Sequence, residues 1–98
     1  MIQIRLPQHL RDLANISGEL TLEISGELTL AAIVNTIEVE FPMLRGTILN
    51  PTTQSRRAFI RFFADGQDIS NMPINESLKE YIRHATPRID ILGAIAGG

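Results

Sequence analysis

The chain contains one seven-residue segment twice, first as Ile16-Ser17-Gly18-Glu19-Leu20-Thr21-Leu22 and again as Ile24-Ser25-Gly26-Glu27-Leu28-Thr29-Leu30. Two copies eight residues apart are too few and too close to build a repeat architecture. The first copy leads into an alternation of apolar and polar residues, whereas the second leads into apolar residues at helical spacing. We therefore predict a strand from the first copy and the start of a helix from the second, because tertiary context can override local propensity.

A single apolar stripe defines the helix that follows the second copy. Thr29 is a residue type that caps helix N-termini, and Pro42 ends the helix because it disfavours helical backbone in the residue before it. The stripe has the i, i+3, i+4, i+7, i+11 spacing that places side chains on one helical face, and its members are Leu30, Ile33, Val34, Ile37 and Phe41.

The N-terminal residues predict the first strand and a connecting loop. Ile2, Ile4 and Leu6 alternate with polar residues, and Pro7 ends the strand because proline cannot donate a ladder hydrogen bond. Leucines at helical spacing occur in residues 6–13, but so short a segment is expected to form only one turn within the loop.

The C-terminal half predicts two or three more strands. Residues 58–64 carry the strongest strand pattern, and Asp65-Gly66 is a hairpin-turn dipeptide that leads into a short returning strand at residues 67–69. A helical turn is expected to begin near Asn75, and residues 88–92 form the last predicted strand.

Residues 43–57 are the irregular part of the chain. This loop is expected to pack against the core through Leu44, Ile48 and Leu49. Residues 50–55 are predicted to form an exposed turn. The pair Arg56-Arg57 at the end of this loop is either a solvated loop end or a contact for an acidic patch on a partner.

This order of elements predicts an α+β fold in which a four- or five-stranded mixed sheet packs on one main helix. That is the β-grasp (ubiquitin-like) arrangement, whose first and last strands lie parallel at the centre of the sheet. The C-terminus therefore leaves from the middle of the fold. We expect one domain over residues 1–93 and a flexible tail over residues 94–98, since 98 residues suffice for a single core.

Composition excludes several classes of partner and site. A net charge of −2 gives no general attraction to nucleic acid or to an anionic membrane, and 44% hydrophobic residues are typical of a globular domain. The chain has no cysteine, which removes disulfides, thiolate metal sites and a cysteine nucleophile. The N-terminus lacks a signal-peptide pattern and no stretch reaches the ~18 apolar residues of a membrane span, so we expect a cytoplasmic protein.

Catalytic groups are scarce. His9 and His84 are the only histidines, and neither has the spacing of a metal ligand or a catalytic triad, so both are expected to be structural or exposed. Asp65 is expected to be a turn residue and Asp68 to face solvent. We predict a protein that is not an enzyme by itself and that binds neither a metal nor a cofactor.

The third predicted strand carries a candidate partner-binding face. Phe59, Arg61 and Phe63 should share the side that faces away from the helix, because a buried arginine would need a partner and the fold has one main helix to cover one face. Exposed apolar groups of this size usually mark interaction sites. The alternative is that the loop of residues 43–57 covers this face.

The last residues, Ile95-Ala96-Gly97-Gly98, form the candidate reactive tail. Glycine has no Cβ, so a Gly-Gly terminus can enter a channel that is too narrow for other residues. Residues 94–98 reach about 17 Å when extended, enough to enter the active site of another protein. Gly98 is thus the candidate reactive residue, and Ile95, Ala96 and Gly97 are the candidate threading residues.

The sequence resembles the small sulfur-carrier proteins of the MoaD/ThiS family, which are ubiquitin-like β-grasp proteins. The resemblance rests on residues 4–11, on Phe41-Pro42-Met43-Leu44-Arg45, on residues 62–69 and on the ending at residues 93–98. The family often has a Gly-Asp-Glu turn before the last strand, and Ala85-Thr86-Pro87-Arg88 stands there in this chain.

The resemblance implies a reaction at the C-terminal carboxylate. An E1-like adenylyltransferase would use ATP to convert the Gly98 carboxylate to an acyl adenylate, and a sulfur nucleophile would then displace AMP to leave a thiocarboxylate. The acceptor of the sulfur is a pterin, a thiazole or an activated serine. Chain length and the irregular middle loop favour the pterin, which makes the large subunit of molybdopterin synthase the expected second partner.

Three alternatives remain open. The chain could be a protein modifier that forms an isopeptide bond through Gly98, a subunit that completes a partner's active site with its tail, or a β-grasp interaction module whose glycines are incidental. The sequence of the tail is compatible with the first two alternatives and with a carrier, so it does not distinguish among them.

Overall fold

A five-stranded mixed sheet forms the centre of the computed structural model, which describes residues 1–93. Its strands are β1 (Ile2–Arg5), β2 (Leu20–Leu22), β3 (Ile60–Ala64), β4 (Gln67–Asp68) and β5 (Arg88–Gly93), in the order β2-β1-β5-β3-β4. β1 and β5 are parallel, and the other neighbouring pairs are antiparallel. The prediction that the first and last strands lie side by side at the centre of the sheet is confirmed. The predicted tail, residues 94–98, lies outside the described residues.

The segment after β1 forms a helix, α1 (Gln8–Ala14), where a single turn was expected. The carbonyl oxygen of Pro7 accepts hydrogen bonds from the amides of Leu10 and Arg11, each at 3.0 Å, which starts the helix. Leu10 and Ala14 are buried, so tertiary packing stabilises a segment that is too short to be helical alone. Asn15 ends the helix in the left-handed conformation at φ 57°.

The main helix is α2 (Leu30–Glu40), and its predicted boundaries are confirmed. The Thr29 hydroxyl accepts a hydrogen bond from the amide of Ala32 at 3.0 Å, which satisfies one free N–H group of the first turn. Phe41 is the C-cap residue, directly before Pro42. The apolar stripe packs into the core through four buried residues, Leu30, Ile33, Val34 and Ile37.

The two copies of the repeated segment fold differently, as predicted. In the first copy Leu20 and Leu22 pair with Ile4 and Ile2 of β1. In the second copy the carbonyl oxygen of Leu28 accepts a hydrogen bond from the Leu78 amide at 2.9 Å, and the helix begins at Leu30. The difference lies at the ends of the copies: residues 20–22 form a strand, whereas Leu30 is the first residue of a helix.

Alternating burial leaves one face of the sheet open. The inward residues of β1, β3 and β5 form one core with α2, and they are Ile2, Ile4, Ile60, Phe62, Ala64, Ile89 and Ile91. The opposite side of these strands, hereafter the open face, carries Gln3, Arg5, Arg61, Phe63, Arg88, Asp90 and Leu92.

The irregular segment is pinned to the core as predicted, because Leu44, Ile48 and Leu49 are buried. The strand after it begins at Ile60 rather than at residue 58. Ala58 and Phe59 are exposed, and Phe59 has a φ of 72°, which interrupts an extended backbone. The helical turn that was predicted to begin near Asn75 is a 3₁₀ turn at Lys79–Tyr81, four residues later. No helix within residues 1–93 is long and apolar enough to cross a membrane.

Candidate functional site

The C-terminal strand ends between two neighbours. Gly93 pairs with Ile60 of β3, and on the other side β1 runs parallel to β5 with Arg5 opposite Asp90. The last described residue is therefore anchored at the centre of the sheet. The predicted reactive residue Gly98 and the predicted threading residues Ile95, Ala96 and Gly97 lie outside the described residues, so the structure defines only the base from which they start.

The first residues of the β1–α1 connection lie against Gly93. A Cβ atom built on Gly93 would be 2.7 Å from Cε1 of His9 and 3.3 Å from Cβ and Cγ of Pro7. A side chain at residue 93 would therefore require the exposed His9 ring to turn aside and Pro7 to shift by a few tenths of an ångström. The sequence alone gave no signal for this contact, because it depends on the parallel pairing of β1 with β5.

The predicted partner-binding residues are exposed to different degrees. Arg61 lies on the open face beside Leu92, with 46% of its side chain exposed, and Leu92 is 43% exposed. Phe63 lies between Asp90 and Asp68 on the neighbouring strands and is half-buried. Phe59 is 59% exposed but precedes β3, so the alternation of the strand does not assign it to the open face. The loop of residues 43–57 leaves Arg61 and Leu92 uncovered.

Ion pairs balance much of the charge on the open face. The Arg61 guanidinium binds the Asp68 carboxylate at 2.5 Å, and hydrogen bonds from Ser70 and Arg61 hold the pKa of Asp68 well below its usual range. Arg88 binds Asp90 at 3.1 Å and Glu19 at 2.8 Å. The hydrogen bond to Asp90 and the negative charge of that residue raise the pKa of Arg88.

Both arginines at the end of the irregular loop donate hydrogen bonds to backbone carbonyl oxygens. Arg56 donates hydrogen bonds to the carbonyl oxygens of Ile60 at 2.6 Å and Ser70 at 3.0 Å. Arg57 donates to the carbonyl oxygen of Gly46 at 2.8 Å. Arg56 is therefore half-buried and holds the backbone at the start of β3, whereas Arg57 is exposed. A contact of this pair with an acidic patch on a partner stays a prediction.

The two histidines lie at opposite ends of β5. Both are exposed, and Nδ1 of His84 lies 3.5 Å from Oδ1 of Asp65. Within residues 1–93 no group of three or more histidine and acidic side chains is arranged to hold a metal ion. The described part of the chain has an open sheet face, on which Arg61 and Arg88 are paired with acidic side chains, and a strand that ends at Gly93.

The fold and the central C-terminal strand define a β-grasp protein of the ubiquitin-like class. Small archaeal modifier protein 1 (SAMP1) from Haloferax volcanii matches with a TM-score of 0.73 at 14% sequence identity, over 99% of this chain and 98% of that chain. CysO from Mycobacterium tuberculosis matches with a TM-score of 0.73 at 15% identity, over 97% and 100% of the two chains.

A third solved structure is the BexX/CysO complex from Amycolatopsis orientalis, with a TM-score of 0.72 at 18% identity over 100% of both chains. No protein-family model and no curated protein matches the sequence. These neighbours share the fold over nearly their whole length, so the resemblance to the MoaD/ThiS type of β-grasp protein is confirmed for the fold.

Proposed function

We propose that this protein is a sulfur carrier whose Gly98 carboxylate is activated by an E1-like partner and converted to a thiocarboxylate. One observation carries the proposal: the central strand β5 ends at Gly93, and the five residues after it end in Gly97-Gly98. A strand held on both sides gives those residues a fixed starting point, and the small terminal residues fit a narrow channel. The full-length structural match to SAMP1 and CysO supports the same function.

The proposed chemistry needs little from this chain beyond its carboxylate. An oxygen of the Gly98 carboxylate attacks the α-phosphorus of ATP, pyrophosphate leaves, and an acyl adenylate forms. Sulfide then attacks the acyl carbon and AMP leaves, which produces the thiocarboxylate. The partner supplies the contacts that stabilise the developing charges. Arg61 and Leu92 on the open face, together with Phe63 and the nearby exposed Phe59, are the proposed docking residues.

The large subunit of molybdopterin synthase is the proposed acceptor of the sulfur. This choice rests on chain length and on the irregular segment between α2 and β3. The second candidate function is a protein modifier, which is favoured by the structural match to proteins named archaeal modifiers. In that case the same acyl adenylate would react with a lysine amine instead of a sulfur nucleophile.

Intact mass separates the two functions. The protein purified from its own organism under non-oxidising conditions should contain a species heavier by about 16 Da, because sulfur replaces one carboxylate oxygen. A variant with one alanine added after Gly98 should lack this species and stay folded, since the added residue displaces the carboxylate. Conjugates to other proteins without the heavier species would favour the modifier. Activation of the extended variant at the wild-type rate would contradict both functions.

A further inference from the structure

Phe59 is an exposed aromatic residue in a backbone conformation that disfavours it. The amide of Ile60 donates a hydrogen bond to the carbonyl oxygen of Arg57 at 3.2 Å, which closes a four-residue turn over residues 57–60. Phe59 is the third residue of this turn and has a φ of 72°, whereas the φ of Ala58 is not positive. Glycine or asparagine is favoured at such a position, because the Cβ of a larger residue is crowded there. The turn alone therefore gives no reason for an aromatic side chain.

The core gives no reason for this side chain either. Phe59 is 59% exposed, and it belongs neither to the buried core nor to the partly buried residues that pack against the core. Phe62, three residues later, is fully buried and supplies an aromatic ring to the core. An aromatic residue that is unfavourable for its backbone and unused in the core points to a role outside the molecule.

Hydrogen bonds fix the backbone on both sides of Phe59. The amide of Arg57 donates to the carbonyl oxygen of Ile48 at 3.0 Å, and the Arg56 guanidinium donates to that of Ile60 at 2.6 Å. Ile60 is also the first residue of β3. The direction of the Cα–Cβ bond of Phe59 is thus set by the fold, and a partner that binds the ring has to order only its side-chain rotation.

The segment around Phe59 is positively charged. Residues 41–64 contain four arginines and no acidic residue, although the whole chain has a net charge of −2. In the described part of the chain, Arg61 is the only one of these arginines that forms an ion pair. Arg57 is exposed, and its Nε donates a hydrogen bond to the Gly46 carbonyl oxygen at 2.8 Å. A guanidinium whose position is fixed by a hydrogen bond therefore lies two residues from the exposed ring.

This surface specifies the chemistry of the protein that would cover it. The Glu38 carboxylate reaches the same segment, but it accepts the amide of Gly46 at 3.2 Å and forms no ion pair with Arg57. The arginine charge is thus available to carboxylates of another molecule, and the ring requires an apolar pocket. Aromatic residues and arginine are the types enriched in the centres of protein interfaces. A net charge of −2 disfavours nucleic acid as the alternative partner.

We propose that Phe59 is an aromatic anchor for the activating partner: the turn at residues 57–60 presents its ring to an apolar pocket on that protein, and carboxylates at the rim of the pocket pair with Arg57. This inference rests on the proposed function and names the chemistry of the partner's docking surface. The anchor is continuous with the open face, because Arg61 lies on that face two residues further along the chain. Phe59 takes no part in the reaction at Gly98.

Two substitutions separate the ring of Phe59 from its backbone conformation. Phe59→Ala and Phe59→Asn both remove the ring, so each should weaken binding of the E1-like adenylyltransferase from the same organism by about tenfold or more in calorimetric titration. Asparagine tolerates the left-handed conformation better than alanine does. The urea midpoint of Phe59→Asn should therefore lie above that of Phe59→Ala and no lower than that of the wild type.

Either of two results would overturn the proposal. The first is a wild-type affinity in Phe59→Ala or Phe59→Asn, which would show that the ring does not contact the partner. The second is a urea midpoint of Phe59→Asn below that of the wild type, because the ring would then stabilise this chain itself.

Gln54 provides the matched control for the backbone. It is exposed and has a φ of 60°, so it is a second non-glycine residue in the left-handed conformation within the same basic segment. Gln54→Asn should keep the wild-type affinity, because it changes a left-handed residue without removing an aromatic ring. A loss of affinity as large as that of Phe59→Asn would assign the effect to the loop and not to the ring, and would contradict the anchor.

Salt dependence tests the acidic rim of the pocket. Arg57→Gln should weaken binding by about 3- to 10-fold at low salt, and the difference from the wild type should shrink at about 0.5 M salt. Lys79→Gln removes a positive charge outside residues 41–64 and is the control. An unchanged affinity of Arg57→Gln at low salt would exclude the acidic rim. Binding of a single-stranded RNA oligonucleotide that is lost in Phe59→Ala would assign the surface to nucleic acid and overturn the proposal.

Pyrophosphate release in the presence of the same adenylyltransferase and ATP separates this inference from the proposed function. If the wild type is adenylated and Phe59→Ala has the wild-type KM, the anchor is refuted and the proposed function stands. If the wild type is not adenylated, the proposed function is refuted, and this enzyme is excluded as the protein that binds Phe59. A KM raised by about tenfold in Phe59→Ala, with kcat within roughly twofold of the wild type, is the result expected for a docking residue.

Discussion

Asp65 is the residue that joins the turn between β3 and β4 to the segment before β5. Only 1% of its side chain is exposed, and its carboxylate accepts hydrogen bonds from the amides of Arg83 at 2.7 Å and Arg88 at 3.0 Å. Burial acts to raise the pKa of Asp65, but these hydrogen bonds and the nearby His84 together lower it. Asp65 thus holds residues 83–88, the segment that leads into β5.

Asp65→Asn should destabilise the protein by about 1–3 kcal/mol, because an amide can accept only one of the two hydrogen bonds and turns its NH₂ group toward the other donor. Asparagine tolerates the left-handed conformation of this residue, so the turn itself is preserved. Urea denaturation gives the free energy of unfolding, and Asp12→Asn on the exposed side of α1 is the control. A stability loss no larger than that of the control would contradict this account.

The same carboxylate should contribute to acid unfolding. A pKa that is lower in the folded than in the unfolded state stabilises the protein fully above the unfolded value of about 3.9 and loses that effect as pH falls through the folded pKa. We expect the free energy of unfolding of the wild type to fall more than that of Asp65→Asn when pH falls below about 4. Between pH 5 and 7 the difference in the free energy of unfolding between the two proteins should stay constant. The lowered pKa of Asp68 is common to both proteins, so the difference between their pH profiles reports Asp65.

At the scale of single elements, α2 depends on its N-cap. The second copy of the repeated segment places Thr29 directly before the helix, where its hydroxyl accepts the Ala32 amide. Thr29→Ala should lower the free energy of unfolding by about 1 kcal/mol, because an N–H group at the helix end loses its acceptor. The matched control is Thr52→Ala in the exposed turn. Equal stability of the two variants by urea denaturation would show that the cap contributes nothing.

Elements with a long apolar pattern could be predicted from the sequence, and short ones could not. The stripe from Leu30 to Phe41 and the alternation of β1 follow from local periodicity. The spacing of the leucines did not indicate which face of α1 is buried, because Leu13 is 55% exposed while Ala14 is buried. Packing decides which face of so short a helix is buried, and packing is not readable from seven residues.

Contacts between distant residues were also beyond prediction from the sequence. The burial of Asp65 depends on amides that reach it through the pairing of β3 with β5, and the Arg56 hydrogen bonds depend on the start of β3. His9 meets Gly93 only because the first and last strands are neighbours. The class of fold followed from the order of elements, whereas these contacts required the register of the sheet.

At the scale of the whole molecule, the open face and the strand end lie next to each other. Arg61→Ala and Leu92→Ala should each weaken binding to the activating partner by about tenfold or more, because central interface residues carry most of the binding energy. Stability should change less than binding, since nearly half of each side chain is exposed and neither belongs to the buried core. Val39→Ala on the exposed side of α2 is the control, and calorimetric titration is the measurement. Unchanged affinity in both test variants would exclude this face as the docking surface.

The central position of the last strand has a consequence for synthesis on the ribosome. β5 is the last of the five strands to be made, yet it lies between β1 and β3, so the ladder of the sheet stays interrupted until residue 93 has left the exit tunnel. Long-range pairing of this kind cannot begin early in translation. A prematurely terminated chain therefore lacks both the fold and the ending that follows it, and truncated products are expected to be degraded as unfolded chains instead of competing for the partner.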